Sequence, residues 1–257
     1  DRTMRAIEEA LRQDIDPEAD GPRLFADAPD GEFLLMPAQS ARFCGLKALT
    51  MAPNNPARGL EKIQGVYVLY SSDTLAPVAI MEGSSLTAIR TPAVAISAVR
   101  QLAALAAPGD ELPESPRVLV FGVGTQGRSS ILAMQAAFPA ARFEVVGRRP
   151  ERVQELHSDL ATQGIEVAHR EDVDAAVSEA DVIVTATTSS TPLFDGSLVQ
   201  PNAIVAAIGT HGYDAREVDD VLVARADIVV EGRASAQREN GNLHTYFTEA
   251  DWQERPP

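Results

Sequence analysis

Residues 117–121 (RVLVF) have the apolar, β-branched content of a strand buried on both faces. They run directly into Gly122-Val123-Gly124-Thr125-Gln126-Gly127, and residues 126–138 then carry apolar side chains at helical spacing. A strand, a G-x-G-x-x-G turn and a helix in that order leave few folds open. The first glycine allows a tight turn, the second lets backbone approach a pyrophosphate, and the third lets the helix pack on the strand. The helix N-terminus then offers free N–H groups and a positive dipole end to phosphate. Gly122, Gly124, Thr125, Gln126 and Gly127 are therefore expected to hold a dinucleotide.

The second strand, residues 142–146, ends in Gly147-Arg148-Arg149-Pro150. A carboxylate about 20 residues after the glycines would bond a ribose 2′-OH and favour NAD. None stands at this tip. Two guanidiniums do, and their donor forks suit a 2′-phosphate. Arg148 and Arg149 thus favour NADP(H), with NAD(H) as the other possibility.

Downstream, strands are expected at 117–121, 142–147, 165–168, 181–187, 203–208 and 227–231. Helices are expected at 126–138, 150–162, 172–179 and 216–224. This alternation reads as an α/β chain with a Rossmann, doubly wound parallel sheet. Ligands in such sheets lie beyond the carboxyl ends of the strands, so the loops at 185–189 and 208–211 are expected to face the cofactor. They bring Thr187, Gly209 and His211 into the candidate site.

The Pro-rich acidic stretch 108–116 (PGDELPESP) reads as a linker. It divides residues 1–112 from a dinucleotide-binding domain at 113–231. Upstream lie a short helix at about 3–13 and β-rich runs at Glu32–Pro37, Arg42–Met51, Lys62–Ser71 and Val78–Glu82. Ser71-Ser72-Asp73-Thr74 suggests a hairpin between the last two. A helix follows, either capped by Thr91 with Pro92 in its first position or starting a turn earlier near Ser84. Both choices put Arg90 in its first turns.

At 257 residues the chain can form one large or two modest domains. Its 37 acidic against 22 basic residues give a net charge of -15, which argues against nucleic-acid and anionic-membrane partners. No apolar run approaches a bilayer span. One cysteine, Cys44, excludes an internal disulfide and fits a reducing cytoplasm. The four histidines and Cys44 show no metal-ligand spacing, so no metal is expected.

An ordered set of short pieces carries a resemblance. Met36-Pro37-Ala38, Gly45-Leu46-Lys47, Pro53-Asn54-Asn55 with Gly59-Leu60, and Leu86-Thr87-Ala88-Ile89-Arg90-Thr91, followed by the glycine turn, resemble the ornithine cyclodeaminase/mu-crystallin family. The resemblance implies a smaller α/β domain for dimerisation and substrate binding beside the Rossmann domain. It also implies that residues 232–257 return to that first domain. Family chains run longer at both ends, so a truncated or partly disordered chain is expected. The activity implied is nicotinamide hydride transfer on α-amino or α-imino acids.

By the same resemblance Arg23 binds the substrate carboxylate, Met36 lines the pocket, Lys47 is the active-site lysine, and Arg90 lies near substrate and cofactor with Thr91 beside it. There are three departures. His211 stands where cyclodeaminases carry the aspartate of their water step, and is an alternative proton donor. Gly147 and Arg148 stand where they carry an acidic residue for NAD. Lys62 replaces a threonine. The first two turn the expectation towards an NADPH-dependent reductase of cyclic or N-substituted ketimines, of the Δ1-pyrroline-2-carboxylate or Δ1-piperideine-2-carboxylate type. An NAD-dependent ornithine cyclodeaminase or amino-acid dehydrogenase, and a mu-crystallin-like binding protein, are the alternatives. A cytoplasmic homodimer acting on a small imino or amino acid is expected.

Overall fold

The computed structural model describes residues 1–13, 15–209 and 212–254. The chain forms two compact units, Glu9–Arg90 and a second made of Asp1–Glu8 with Thr91–Pro257. The boundary therefore falls at residue 90, not at 112. Helix α1 (Arg2–Arg12) runs across the first division and places Met4 in the core of the larger unit.

The smaller unit is a five-stranded antiparallel meander, β1 (Leu24–Ala28), β2 (Gly31–Gln39), β3 (Phe43–Met51), β4 (Ile63–Ser71) and β5 (Pro77–Glu82), ordered as in the sequence. All but β1 fall where β-rich runs were read. The β4–β5 pairing bears out the hairpin. Side chains alternate across the sheet, so its two faces differ. Leu34, Lys47 and Leu49 share one face and are buried. The other face carries Leu24, Phe33, Val66 and Ile80, all exposed.

Helix α2 (Gly83–Ala104) follows β5 directly. It starts at the earlier of the two expected positions, which leaves Pro92 inside the helix, so Thr91 is not a cap. The cap is Glu82, whose carboxylate accepts from the N–H groups of Ser84 (2.9 Å) and Ser85 (2.5 Å).

The larger unit holds β6 (Arg117–Phe121), α3 (Thr125–Ala137), β7 (Arg142–Val146), α4 (Pro150–Ala161), β8 (Val167–His169), α5 (Val173–Glu179), β9 (Val182–Thr185), β10 (Ile204–Ala207) and α6 (Asp220–Arg225). Its five strands are all parallel, ordered β10-β9-β6-β7-β8. Both faces are buried, which explains the unbroken apolar strands. Val118, Val120, Val182 and Val184 pack with Ile131, Met134 and Leu160. Leu119, Phe121 and Ile183 pack on the opposite side with Val177, Leu222 and Trp252.

Three expectations need correction. Helix α6 begins at Asp220 rather than 216, because the N–H groups of Glu217 and Val218 bond Asn242 Oδ1 and Asp219 caps the helix through Leu222 N–H. Residues 227–231 form no strand. Ile228 and Val230 still pack on the core, by side chains without a ladder. Residues after 232 form α7 (Arg233–Glu239), α8 (Gly241–His244) and α9 (Glu249–Glu254), and Ala236, Leu243 and Trp252 join the core of the dinucleotide-type unit instead of returning to the first.

Candidate active site

The glycine turn is built as its spacing requires. Gly122 sits at φ +104°, where L side chains are strained, and its N–H donates to the Val146 carbonyl at 3.0 Å. A Cβ on Gly122 would collide with the Ala186 carbonyl, and one on Gly127 with the Gly122 carbonyl. Gly124 differs, because a Cβ there would meet nothing within 4 Å. Gly124 is the N-cap of α3, and among the described residues no side chain caps that helix. Two of the three glycines are thus required by the chain's own packing. The third faces open space before uncapped N–H groups, which fits the pyrophosphate of a dinucleotide. Thr125 and Gln126 form the first turn beside it.

The sheet order reverses between β6 and β9, and the crevice at such a reversal is where open α/β sheets take ligands. Gly122 leaves β6 there against Ala186, which leaves β9. At the tip of β7, Gly147 packs on the Val123 side chain, so Arg148 and Arg149 follow beside the same turn. Both are exposed. Among the described residues neither guanidinium has an ion pair. Arg128, in contrast, is engaged at 2.5 Å by Asp159, and its hydrogen bond holds that carboxyl below its ordinary pKa.

Sequence reasoning missed Glu217, which is 0% exposed. Its Oε1 accepts from Thr187 N–H (2.7 Å) and Thr187 Oγ1 (2.8 Å). Its Oε2 accepts from Thr185 Oγ1 (2.9 Å) and Gly209 N–H (2.9 Å). Thr187 and Gly209, both expected at the site, are thereby joined. A Cβ on Gly209 would strike the Thr187 backbone. Glu217 carried no sequence signal because it lay inside a stretch read as helix. His211 lies outside the described residues.

In the smaller unit Lys47 is 7% exposed, on the central strand. It pairs with Met36 on one side and Tyr67 on the other, and Tyr67 pairs with Met81. Leu24 pairs with Leu35, and Arg23 immediately precedes that strand. Two residues expected at the substrate, Met36 and Lys47, therefore share one transverse row of the sheet. Tyr67 was not anticipated. Its ring lies over Gly45, where a Cβ would meet the hydroxyl. Burial, then the charges of Asp20 and Cys44, push its phenol pKa up.

Arg90 and Thr91 stand two turns into α2, not at its start. Hydrogen bonds from Ser85 and then Ser84 hold Glu82 at a pKa of about 2, so the helix N-terminus already has an anion of its own. The Thr91 hydroxyl is buried, with no hydrogen-bond partner among the described residues. Lys62 is exposed. Among the described residues no group of His, Cys, Asp and Glu could hold a metal, and no helix is long and apolar enough to cross a membrane.

Comparison with known proteins agrees with this geometry. A Δ(1)-pyrroline-2-carboxylate reductase of Paracoccus denitrificans is 33% identical over 247 residues, 94% of this chain and 75% of that protein. An archaeal alanine dehydrogenase dimer with bound NAD superposes with a TM-score of 0.80 at 25% identity, covering 98% of this chain and 74% of the other. The iminosuccinate reductase of Paracoccus denitrificans in complex with NAD+ gives 0.79 at 25% identity, covering 97% and 76%. Residues 1–254 match the ornithine cyclodeaminase/mu-crystallin family, and with the glycine cradle and the Lys47 row in place, the chain belongs to that family.

Proposed function

We propose that the protein is an NADPH-dependent reductase of cyclic or N-substituted ketimino acids, of the Δ1-pyrroline-2-carboxylate or Δ1-piperideine-2-carboxylate type. The observation that carries this reading is the pairing of Met36 with the nearly buried Lys47 in a family member whose β7 tip carries arginines in place of a carboxylate. The 33% identical relative is named for a reaction of this type. A bound nicotinamide supplies the hydride.

The chain's own residues do the rest. Gly122, Gly124 and Gly127 with the α3 N-terminus hold the pyrophosphate, and Arg148 and Arg149 take the 2′-phosphate. Arg23, Lys47 and Arg90 fix the substrate carboxylate so that the imine carbon is held for hydride. Lys47 is nearly buried, and a positive charge there attracts a carboxylate strongly. The imine nitrogen must be protonated, and solvent or a nearby acid supplies that proton. Both structural relatives described above carry NAD, so the arginine pair is what argues for NADPH here.

The exposed apolar sheet face supports a homodimer, as does the dimeric alanine dehydrogenase. The decisive assay follows NADPH and NADH oxidation with the two cyclic imines and with 2-oxo acids plus amines. Faster NADPH-linked reduction of the cyclic imines is expected. Conversion of L-ornithine to proline and ammonia, with no imine reduction, would overturn the proposal in favour of a cyclodeaminase.

A further inference from the structure

We infer that Glu217 is a positioning residue for the nucleotide, holding the loops after β9 and β10 in fixed relation, and that only a carboxylate can do this. The inference rests on the reading above, in which those two loops face a nicotinamide nucleotide.

Four donors converge on the Glu217 carboxylate. Ser189 N–H donates to Thr187 Oγ1 at 3.2 Å, so the threonine's own hydrogen is free to go to Glu217. Two of the four donors are main-chain N–H groups, Thr187 on one oxygen and Gly209 on the other. A backbone N–H cannot reverse its role, so both oxygens must be acceptors. A carboxylate meets that demand and a carboxamide does not. Whichever way a glutamine amide turned, its NH2 group would face a main-chain N–H, either that of Thr187 or that of Gly209. One loop would then lose its anchor.

Displacement of the loop after β9 reaches the cradle directly, and displacement of the loop after β10 reaches it through Thr187. Gly209 lies against the Thr187 backbone, and Ala186 lies against Gly122 of the glycine turn. The carboxylate is itself held in place from the C-terminal segment. Glu217 N–H donates to Asn242 Oδ1 at 2.7 Å, and Gly241 sits where a Cβ would collide with the Ala215 carbonyl. The short helices after residue 232 thus reach the loops through Glu217, beside a direct bond from Gly212 N–H to the Glu239 carbonyl. Its neutral donors carry no countercharge, so their number and direction hold the buried carboxylate.

The test is direct binding of NADPH and NADH, followed by nucleotide fluorescence, alongside imine turnover and thermal unfolding. Glu217→Gln is expected to bind nucleotide about tenfold more weakly, the cost of one buried acceptor turned into a donor. The KM for nucleotide should rise while the KM for imine stays unchanged, and Glu217→Asp should recover part of the loss. A lowered melting temperature with unchanged nucleotide binding by the folded protein would overturn the inference and leave Glu217 a purely structural hub. Should Glu217→Gln not fold, Thr185→Val withdraws one donor at constant shape, and unchanged nucleotide binding by that variant overturns the inference equally. A wild-type chain that binds neither nucleotide would overturn the proposed function, and this inference with it. Wild-type binding that Glu217→Gln matches would overturn only the inference.

Discussion

The main-chain carbonyl of Ala186 fills the space in which Gly122 would have to place a Cβ. At φ +104° that glycine is also strained for any other residue. Gly122→Ala should therefore cost about 2–3 kcal/mol of stability and lower the melting temperature by several degrees. Gly124→Ala meets nothing within 4 Å. It should change stability by only about 0.5 kcal/mol while abolishing nucleotide binding. Thermal unfolding with and without nucleotide separates the two variants. Equal loss of stability in both would refute the distinction between a packing glycine and a ligand glycine.

Arg148 and Arg149 are expected to discriminate between cofactors. Replacing both with alanine should raise the KM for NADPH by about ten- to a hundredfold, the worth of one or two charge-assisted hydrogen bonds, and leave NADH nearly unchanged. Steady-state kinetics with each nucleotide reads this out. Parallel changes for both nucleotides would remove the pair from 2′-phosphate recognition.

Lys47→Met keeps the side-chain volume of a position only 7% exposed, so the fold should survive. Turnover should fall by about a hundredfold or more with nucleotide binding intact. Retained turnover would exclude Lys47 from substrate fixation.

Glu82 gives a pH dependence whose sign follows from its cause. Hydrogen bonds from Ser85 and Ser84 lower its folded pKa to about 2, below its unfolded value near 4.5. The stabilisation of α2 is thus fully present above the unfolded value and is lost as pH falls towards the folded one. Thermal midpoints recorded from pH 6 to pH 2.5 should fall less steeply for Glu82→Gln than for the wild type. Identical slopes would show that the cap contributes nothing measurable.

Ile80 is 73% exposed on a sheet face shared with Val66 and Phe33. Ile80→Lys with Val66→Lys should convert the proposed homodimer to a monomer without loss of secondary structure. Sedimentation velocity checks this, and an unchanged dimer would place the interface elsewhere.

Local signals were legible wherever backbone demands and chemistry coincide over a few residues. The strand at 117–121 and the glycine turn after it were readable in this way. So were the apolar runs that became β2, β3, β4 and β5, because alternation and turn residues mark strands directly. The strand expected at 227–231 failed because apolar content does not decide between pairing in a ladder and packing by side chains alone. The start of α6 was misplaced because Asn242 claims two N–H groups from 24 and 25 residues away.

What the sequence by itself determined is the dinucleotide-type cradle, the parallel sheet around it and the family to which the chain belongs. Each is written in contiguous residues whose backbone requirements are local. Only the tertiary structure decided that residues after 232 close on the dinucleotide-type unit, that Tyr67 pairs with Lys47, and that Glu217 ties two loops together. Those relations join residues distant along the chain through register, burial and the direction of single hydrogen bonds, and no local pattern encodes them.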